Sequence, residues 1–271
     1  MKAAVGPDDE VVVVDSASTD PAVRQVAVDA AVPVVRCERP GLSRARNLGV
    51  LSTSAPIVAF TDDDCLPTVG WVRAVDAAFA EDRVGFVTGP VLADRTSERV
   101  LSVSRGFEAR RFVDGDSPEI MGHGANMSFR RSALQAAGPF DELLGAGGVM
   151  RAAEDQDMFW RVLRAGFEGR YDPVAVITHV QWRPEAQFVK MRFGYGLGAG
   201  ALAVKMLRID RDAGRAYLGE ALWHRGVKET LRALRRGDRS GAIGTGVRAA
   251  GVVAGAVRVA RRPVNGPCFR P

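Results

Sequence analysis

Three consecutive carboxylates, Asp62-Asp63-Asp64, follow the apolar run Pro56–Thr61. Such a cluster is costly unless something positive neutralises it. On an extended backbone Asp62 and Asp64 project to one side and Asp63 to the other. Two convergent carboxylates are hard oxygen ligands, suited to Mg2+ or Mn2+ shared with a substrate phosphate. Taken alone the motif is weak, because a polar turn capping the helix that starts near Val69 reads the same way.

A second acidic group, Glu154-Asp155-Gln156-Asp157, opens a helical pattern, where carboxylates suit the unsatisfied N–H groups. At about 100° per residue, Asp155 shares a face with Met158, Phe159 and Val162 and points inward. Asp157 falls on the far side, four residues before Arg161, in position for a surface ion pair. An inward carboxylate at a helix start is a candidate general base. His179 ends an apolar run. A lone histidine there is usually structural, but beside a carboxylate metal site it becomes a candidate ligand. His123, in Gly-His-Gly-Ala-Asn, has no visible partner and no assigned role.

These residues need elements to position them. Val11–Val14, Val32–Cys37, Pro56–Thr61 and Val84–Val87 read as strands, and Val23–Ala31, Leu42–Leu51 and Val69–Phe79 as intervening helices. That alternation implies parallel crossover units and an α/β sheet, with ligands beyond the C-terminal ends of the strands. Asp15 and Asp62–Asp64 both fall there. Further on, Glu98–Phe112 reads as helix, Ala125–Phe129 as extended and Arg130–Ala137 as a short helix stopped by Gly138-Pro139. Gly145–Val149 reads as a mobile loop before the helix Glu154–Ala165, and Ala175–Thr178 as a strand. From Pro184 the pattern is helical, with breaks near Gly194–Gly200 and Gly237–Gly241.

Hydrophobic residues at 46% and charged residues at 25% describe an ordinary globular chain rather than a disordered or multi-span one. The charge-free stretch Ala249–Val257 falls short of the roughly 20 apolar residues of a membrane span. No apolar signal core opens the chain, and Cys37, Cys65 and Cys268 have neither disulfide-framework nor metal spacing, which fits a reducing, cytoplasmic setting. The net charge of +5 is divided. Residues 1–179 carry 19 Lys+Arg and 26 Asp+Glu, a net of −7, and residues 180–271 carry 18 and 6, a net of +12. A basic tail on an acidic body implies contact with phosphate. Only four of the 37 basic residues are lysine, which reads as compositional bias.

In order along the chain stand VVVVDSASTD, GLSRARNLG, FTDDDCLP followed by Trp71, GANMSFRRSAL with GPFDE, AEDQDMFWRVLRAGF, and a strand ending in His179. From Val11 to His179 this series resembles the family-two glycosyltransferases, inverting enzymes with the GT-A fold. The resemblance implies transfer of a sugar from a nucleotide-diphosphate-sugar donor to an acceptor hydroxyl, on a glycan or a lipid-linked acceptor. It implies that Asp15 contacts the base and that Arg46, Asn47, Asp62 and Asp63 lie on the donor side. Asp64 and His179 would hold a divalent metal, Mn2+ or Mg2+, and Asp155 would be the catalytic base.

The expected architecture is therefore an α/β, GT-A-like doubly wound, mostly parallel sheet with helices on both faces, plus a helical basic C-terminal tail. Residues 1–183 would form the catalytic domain and 184–271 the tail. Within the tail, Trp223, Val227, Leu231 and Leu234 form one apolar arc, and Arg225, Lys228, Arg232, Arg235 and Arg236 an adjoining basic arc. That pattern fits a helix lying on an anionic membrane surface and equally one packed on the body. The first choice places the protein in the cytoplasm, peripheral on the inner face of the plasma membrane. Family members usually begin with a further strand and helix before the segment that Val11 opens. Either the coding start lies upstream, or Val11–Val14 pairs directly with Pro56–Thr61. An inactive glycan- or partner-binding relative is the alternative function. Nucleic acid ranks last, since no recognition motif accompanies the basic tail.

Overall fold

The computed structural model describes residues 4–94, 103, 104, 106–180 and 185–269. The chain divides into two units. Residues 1–40, 44–139 and 155–182 form the first, and residues 41–43, 140–154 and 183–271 the second.

In the first unit the valine- and isoleucine-rich runs become strands, as their pattern predicts. Strand β1 (Val13–Ser16), helix α1 (Pro21–Asp29) and strand β2 (Val34–Cys37) form a parallel crossover, with Val13 opposite Val34. Asp20 caps α1 by accepting from Ala22 N–H, and Pro21 takes the first turn, where its missing donor costs nothing. Then follow α2 (Leu42–Leu51), β3 (Ile57–Phe60), β4 (Cys65–Pro67), α3 (Trp71–Ala78), β5 (Val84–Thr88), β6 (Val91–Ala93) and β7 (Arg110–Phe112). The unit is completed by β8 (Met127–Arg130), α4 (Arg131–Ala137), α5 (Glu154–Arg164), β9 (Glu168–Tyr171) and β10 (Ile177–His179).

The strands make a five-stranded sheet ordered β3-β8-β5-β9-β7, a three-stranded sheet β4-β10-β6, and the β1-β2 pair. The α/β class is as expected, but the sheets are mixed rather than mostly parallel. Pairings β1–β2, β5–β9 and β6–β10 are parallel, while β3–β8, β5–β8, β7–β9 and β4–β10 are antiparallel. The cause is β8, which inserts between β3 and β5 running against both. The alternative pairing of β1 with β3 is not formed among the described residues: β1 pairs with β2, and β3 with β8.

Phe86, Phe129 and Phe159 pack ring on ring at centroid distances of 4.7 to 6.1 Å, joining β5 and β8 to α5. The Phe86 ring accounts for the glycine inside the strand Glu168–Tyr171. A Cβ at Gly169 would stand 2.1 Å from that ring, so only glycine lets β9 lie beneath it. The helix expected over Glu98–Phe112 is not found where it is described. Ser104 exchanges backbone hydrogen bonds with Val91, and Arg110–Phe112 is strand β7, while residues 95–102 and 105 lie outside the described residues.

Asp157 also departs from expectation. It is fully buried, and Arg161 donates to its Oδ2 from Nε and Nη2 at 3.0 and 2.9 Å. The remaining guanidinium donors meet the carbonyls of Ala137, Gly138 and Pro139. The chain leaving α4 covers the face of α5 that periodicity assigns to solvent.

The second unit holds α6 (Phe188–Ile209), α7 (Arg211–Gly219), a π-helical stretch Glu220–Lys228 running into α8 (Glu229–Arg235), and α9 (Arg239–Val259). A small hairpin of β11 (Val264–Asn265) and β12 (Cys268–Phe269) follows. The break expected near Gly194–Gly200 does not occur, because those glycines are the packing surface. Added Cβ atoms at Gly196 and Gly200 would stand 2.0 and 1.9 Å from the carbonyls of Arg248 and Val252 on α9. Cβ atoms added at Gly251 and Gly255 would in return collide with the Phe193 and Leu197 carbonyl oxygens of α6. The break expected at Gly237–Gly241 is found, with Gly237 at φ +73°, and a further one falls at Asp210, whose side chain caps α7. By length and composition α9 is long and apolar enough to cross a membrane, although the charge-free core read from sequence is short. Its glycine face is committed to α6. Inside this unit Lys205 is fully buried against Asp141 at 2.9 Å, and Asp141 also accepts from Phe269 N–H.

Asp157→Ala should lower stability by about 3–5 kcal/mol, since it strands a buried guanidinium. Gly219→Ala, with helical φ and nothing within 4 Å of the added carbon, should instead raise it by about 0.4–1 kcal/mol. Denaturant midpoints of the two variants check both signs.

Candidate active site

The acidic motif sits on a turn. Cys65 N–H donates to Asp62 O at 3.1 Å, so the three carboxylates do not follow an extended chain. The separation of faces survives: Asp62 and Asp64 are half-buried and Asp63 is exposed. Strand β4 then pairs antiparallel with β10, placing Cys65 opposite His179, and Val180 N–H donates to Asp64 O at 2.8 Å. That register brings His179 Nε2 to 3.3 Å from Asp64 Oδ2. The Cys65 Sγ lies 3.6 Å from the other carboxylate oxygen.

Asp64, Cys65 and His179 therefore offer ligand atoms all within 4.8 Å of one another. Burial, followed by the charges of Asp62 and Asp64, pushes the Cys65 thiol up to about 12. Without a cation the thiol donates to Asp64, and the carboxylate oxygen and imidazole nitrogen are the donors of the group that suit a hard cation. That donor set fits Mn2+ or Mg2+. Cys65 carried no role in the sequence reading. Its place directly after the acidic run was the available signal.

The other half of the site hangs from the loop 121–126. Thr88 Oγ1 donates to Met121 O, and Gly122 takes φ +140° against the Thr88 side chain. Asn126 is almost fully buried, accepts from Trp71 Nε1 at 3.0 Å and donates to Pro90 O and Ala175 O at 3.0 and 2.7 Å. Its N–H closes the turn onto His123 O.

Gly124, held by that turn, bonds on both sides of its residue. Its N–H donates to Asp155 Oδ2 at 2.9 Å, and its C=O accepts from Arg46 Nη2 at 3.1 Å. Arg46 is buried and stands 3.6 Å from Asp62 Oδ1. Asp155, Arg46 and Asp62 are thus brought together, and a Cβ at Gly124 would press within 3.0 Å of Arg46 and 3.1 Å of Asp155. Asn47 is half-buried next to Arg46 on α2.

His123 joins this group, which sequence reasoning missed. Its Nδ1 accepts from Ala125 N–H at 3.2 Å, so the ring proton belongs on Nε2. Burial pushes the imidazole below its ordinary value; Asp155 and Asp62 oppose that shift, and His179 and Arg46 reinforce it. Three carboxylates, Asp62, Asp64 and Asp155, are set against one guanidinium and imidazole rings.

Asp15 is anchored separately. It is buried at the end of β1, accepts from Ser18 N–H at 2.8 Å and pairs with Arg36, its register neighbour on β2. The Ser18 backbone and side-chain hydrogen bonds, then Arg36, hold its carboxyl below the usual range against the opposing effect of burial. Just before α5, Arg151 and Ala153 take φ +64° and +72°. Non-glycine residues held there cost on the order of 1 kcal/mol or more each. The loop expected as mobile, Gly145–Val149, is a run of hydrogen-bonded turns in the second unit, with Leu42 N–H donating to Ala146 O and Ser43 Oγ to Leu144 O.

Over residues 2–138 the chain matches the family described as Glycosyl transferase family 2. Asp155 and His179 lie beyond the matched stretch. The chain is 27% identical over 222 residues to the pre-mycofactocin glycosyltransferase of Mycobacterium tuberculosis, covering 78% of this chain and 46% of that one. It therefore spans just under half the length of that relative. Glycosyltransferase AglE of Haloferax volcanii is also 27% identical, over 226 residues, 79% of this chain and 69% of that one. Among solved structures, the mannosyltransferase PcManGT of Pyrobaculum calidifontis, in complex with GDP-Man and Mn2+, superposes with a TM-score of 0.58 at 19% identity. That match covers 91% of this chain and 77% of the other, and it bears out the GT-A-like fold.

Asp64→Asn should abolish any Mn2+-dependent rise in melting temperature, because it weakens the carboxylate ligand. Cys65→Ala should preserve most of that rise, since sulfur is a poor ligand for so hard a cation. Thermal scans with Mn2+ and with chelator distinguish the two.

Proposed function

The chain belongs to glycosyl transferase family 2, and on that footing we propose that it transfers a sugar from a nucleotide-diphosphate-sugar donor to an acceptor hydroxyl, with inversion at the anomeric carbon. The observation that carries this reading is the grouping of Asp155 with Arg46 and Asp62 through Gly124, beside the Asp64–His179 pair. Inversion by direct displacement needs one base on the acceptor side and relief of charge on the leaving diphosphate. It does not need the two flanking carboxylates of a hydrolase.

Asp155 is the base in this scheme. Gly124 N–H fixes one of its oxygens and Gln156 N–H meets the other, so the carboxylate is aimed before the acceptor arrives. Its proton comes from the acceptor hydroxyl as the new bond forms. Arg46 is the fixed cation of the group and faces the donor side, with Asp62 orienting it. Asp64 and His179 would hold a divalent cation, whose chemistry when bound is to offset the charge that develops on the leaving diphosphate. His123, neutral and with its proton on Nε2, supplies a hydrogen-bond donor without adding charge. Asp15, ionised and pinned by Ser18 and Arg36, is the group for the nucleotide base. Asp63 and Asn47 complete the donor side. The acceptor is a glycan or lipid-linked hydroxyl, and a hexose is the sugar class.

A screen of nucleotide-sugars with Mn2+, read by product anomeric configuration, tests the reading. A product that retains the donor's configuration would overturn inversion. Asp155→Asn should lower transfer by about 100-fold or more while leaving donor affinity within a few-fold. Transfer close to the wild-type rate in that variant would remove Asp155 from the role of base.

A further inference from the structure

The helical stretch from Glu220 through Arg235 has its packing face in an unexpected place. Its buried residues are small: Ala221 and Gly226, the latter against Ala249 of α9, with Thr230 bonded to Thr245 at 2.8 Å. The large apolar side chains are turned the other way. Trp223, Val227, Leu231 and Leu234 are 59%, 41%, 48% and 55% exposed. Of the two arrangements open to this amphipathic segment, burial of its large apolar arc is not the one adopted.

Lys228, Arg232, Arg235 and Arg236 are exposed along the same helix, and Arg225 is partly so. The two acidic residues of the stretch are already matched, Glu220 with Arg225 and Glu229 with Arg232. Exposed apolar side chains interleaved with long cationic ones are unfavourable in water. They suit a bilayer interface, where the apolar groups enter the acyl boundary and the cations meet phosphate.

We propose that this face docks on an anionic lipid bilayer. Charge complementarity decides the occupant. Residues 220–236 carry five Lys+Arg and two Asp+Glu, a net of +3, and the basic residues follow the apolar arc along its whole length, as a continuous anionic plane requires. A folded acidic partner would need a groove matching four successive turns. The proposal does not depend on the transferase reading, because its test involves no turnover.

The experiment is co-sedimentation of the full chain with phosphatidylcholine vesicles, with and without phosphatidylglycerol, at low and high salt. Binding should require phosphatidylglycerol and fall with salt. Joint replacement Arg232→Gln, Arg235→Gln and Arg236→Gln should weaken it by roughly 100-fold. Trp223→Ser with Leu234→Ser should weaken it as well, with circular dichroism unchanged because both side chains are exposed. Brominated lipid should quench the fluorescence of the wild type and less so that of Trp223→Phe. Equal binding to both vesicle types would overturn the proposal, as would sedimentation unaffected by either set of changes. So would a concentration-dependent oligomer that the same changes dissolve while vesicles are not bound, which would assign the face to a second copy of the chain.

Discussion

A side-chain amide taken out of water is stable only when its donors and its acceptor are all met. Asn126 meets that condition with partners from three places: the Trp71 indole, Pro90 O and Ala175 O. The start of α3, the exit of β5 and the approach to β10 are therefore referenced to one residue. The turn that Asn126 closes presents Gly124, and Gly124 in turn sets the spacing between Arg46 and Asp155. A shift of this amide would move the proposed base and its neighbouring cation together. The β4–β10 register does the equivalent task for Asp64 and His179. Local side-chain chemistry supplies the functional groups, and buried backbone-to-side-chain bonding supplies their geometry.

How much of this was legible in the sequence follows the range of each interaction. Helix α2 matches its expected limits, and α4 ends at the expected glycine, because capping and periodicity act within a few residues. The acidic turn, Asp155 and His179 were legible as chemistry, and the order of motifs pointed to the family. The antiparallel entry of β8 was not, since pairing of Met127–Arg130 with strands far earlier in the chain leaves no local mark. Asp157 was misplaced for the same reason. Periodicity identifies the face turned to one layer, and carbonyls from residues 137–139 cover the other. His123 was invisible because the charged and imidazole groups acting on it, Arg46, Asp62, Asp155 and His179, come from four separate parts of the chain.

The glycines of α6 illustrate a different ambiguity. Glycine in a helix interior weakens it by roughly 0.5–1 kcal/mol, so a cluster reads as a break. Here the same absence of Cβ lets two backbones approach until no side chain fits between them. Whether such a cluster interrupts a helix or joins two depends on a second helix carrying matching glycines, as Gly251 and Gly255 do. Both are far away in sequence.

Among the described residues strands β1 and β2 form a two-stranded sheet, and the helix between them leaves Val23, Val26 and Val28 largely in solvent. The five-stranded sheet, by contrast, has β5 buried along its whole length. Amide protons in the two regions should therefore exchange with solvent on different scales: those of Val13–Ser16 through shallow local openings, those of Val84–Thr88 only through much deeper ones. Since Asp15 sits on the shallow side, a nucleotide base held by it would slow exchange there first, and occupancy could be followed amide by amide without following any reaction.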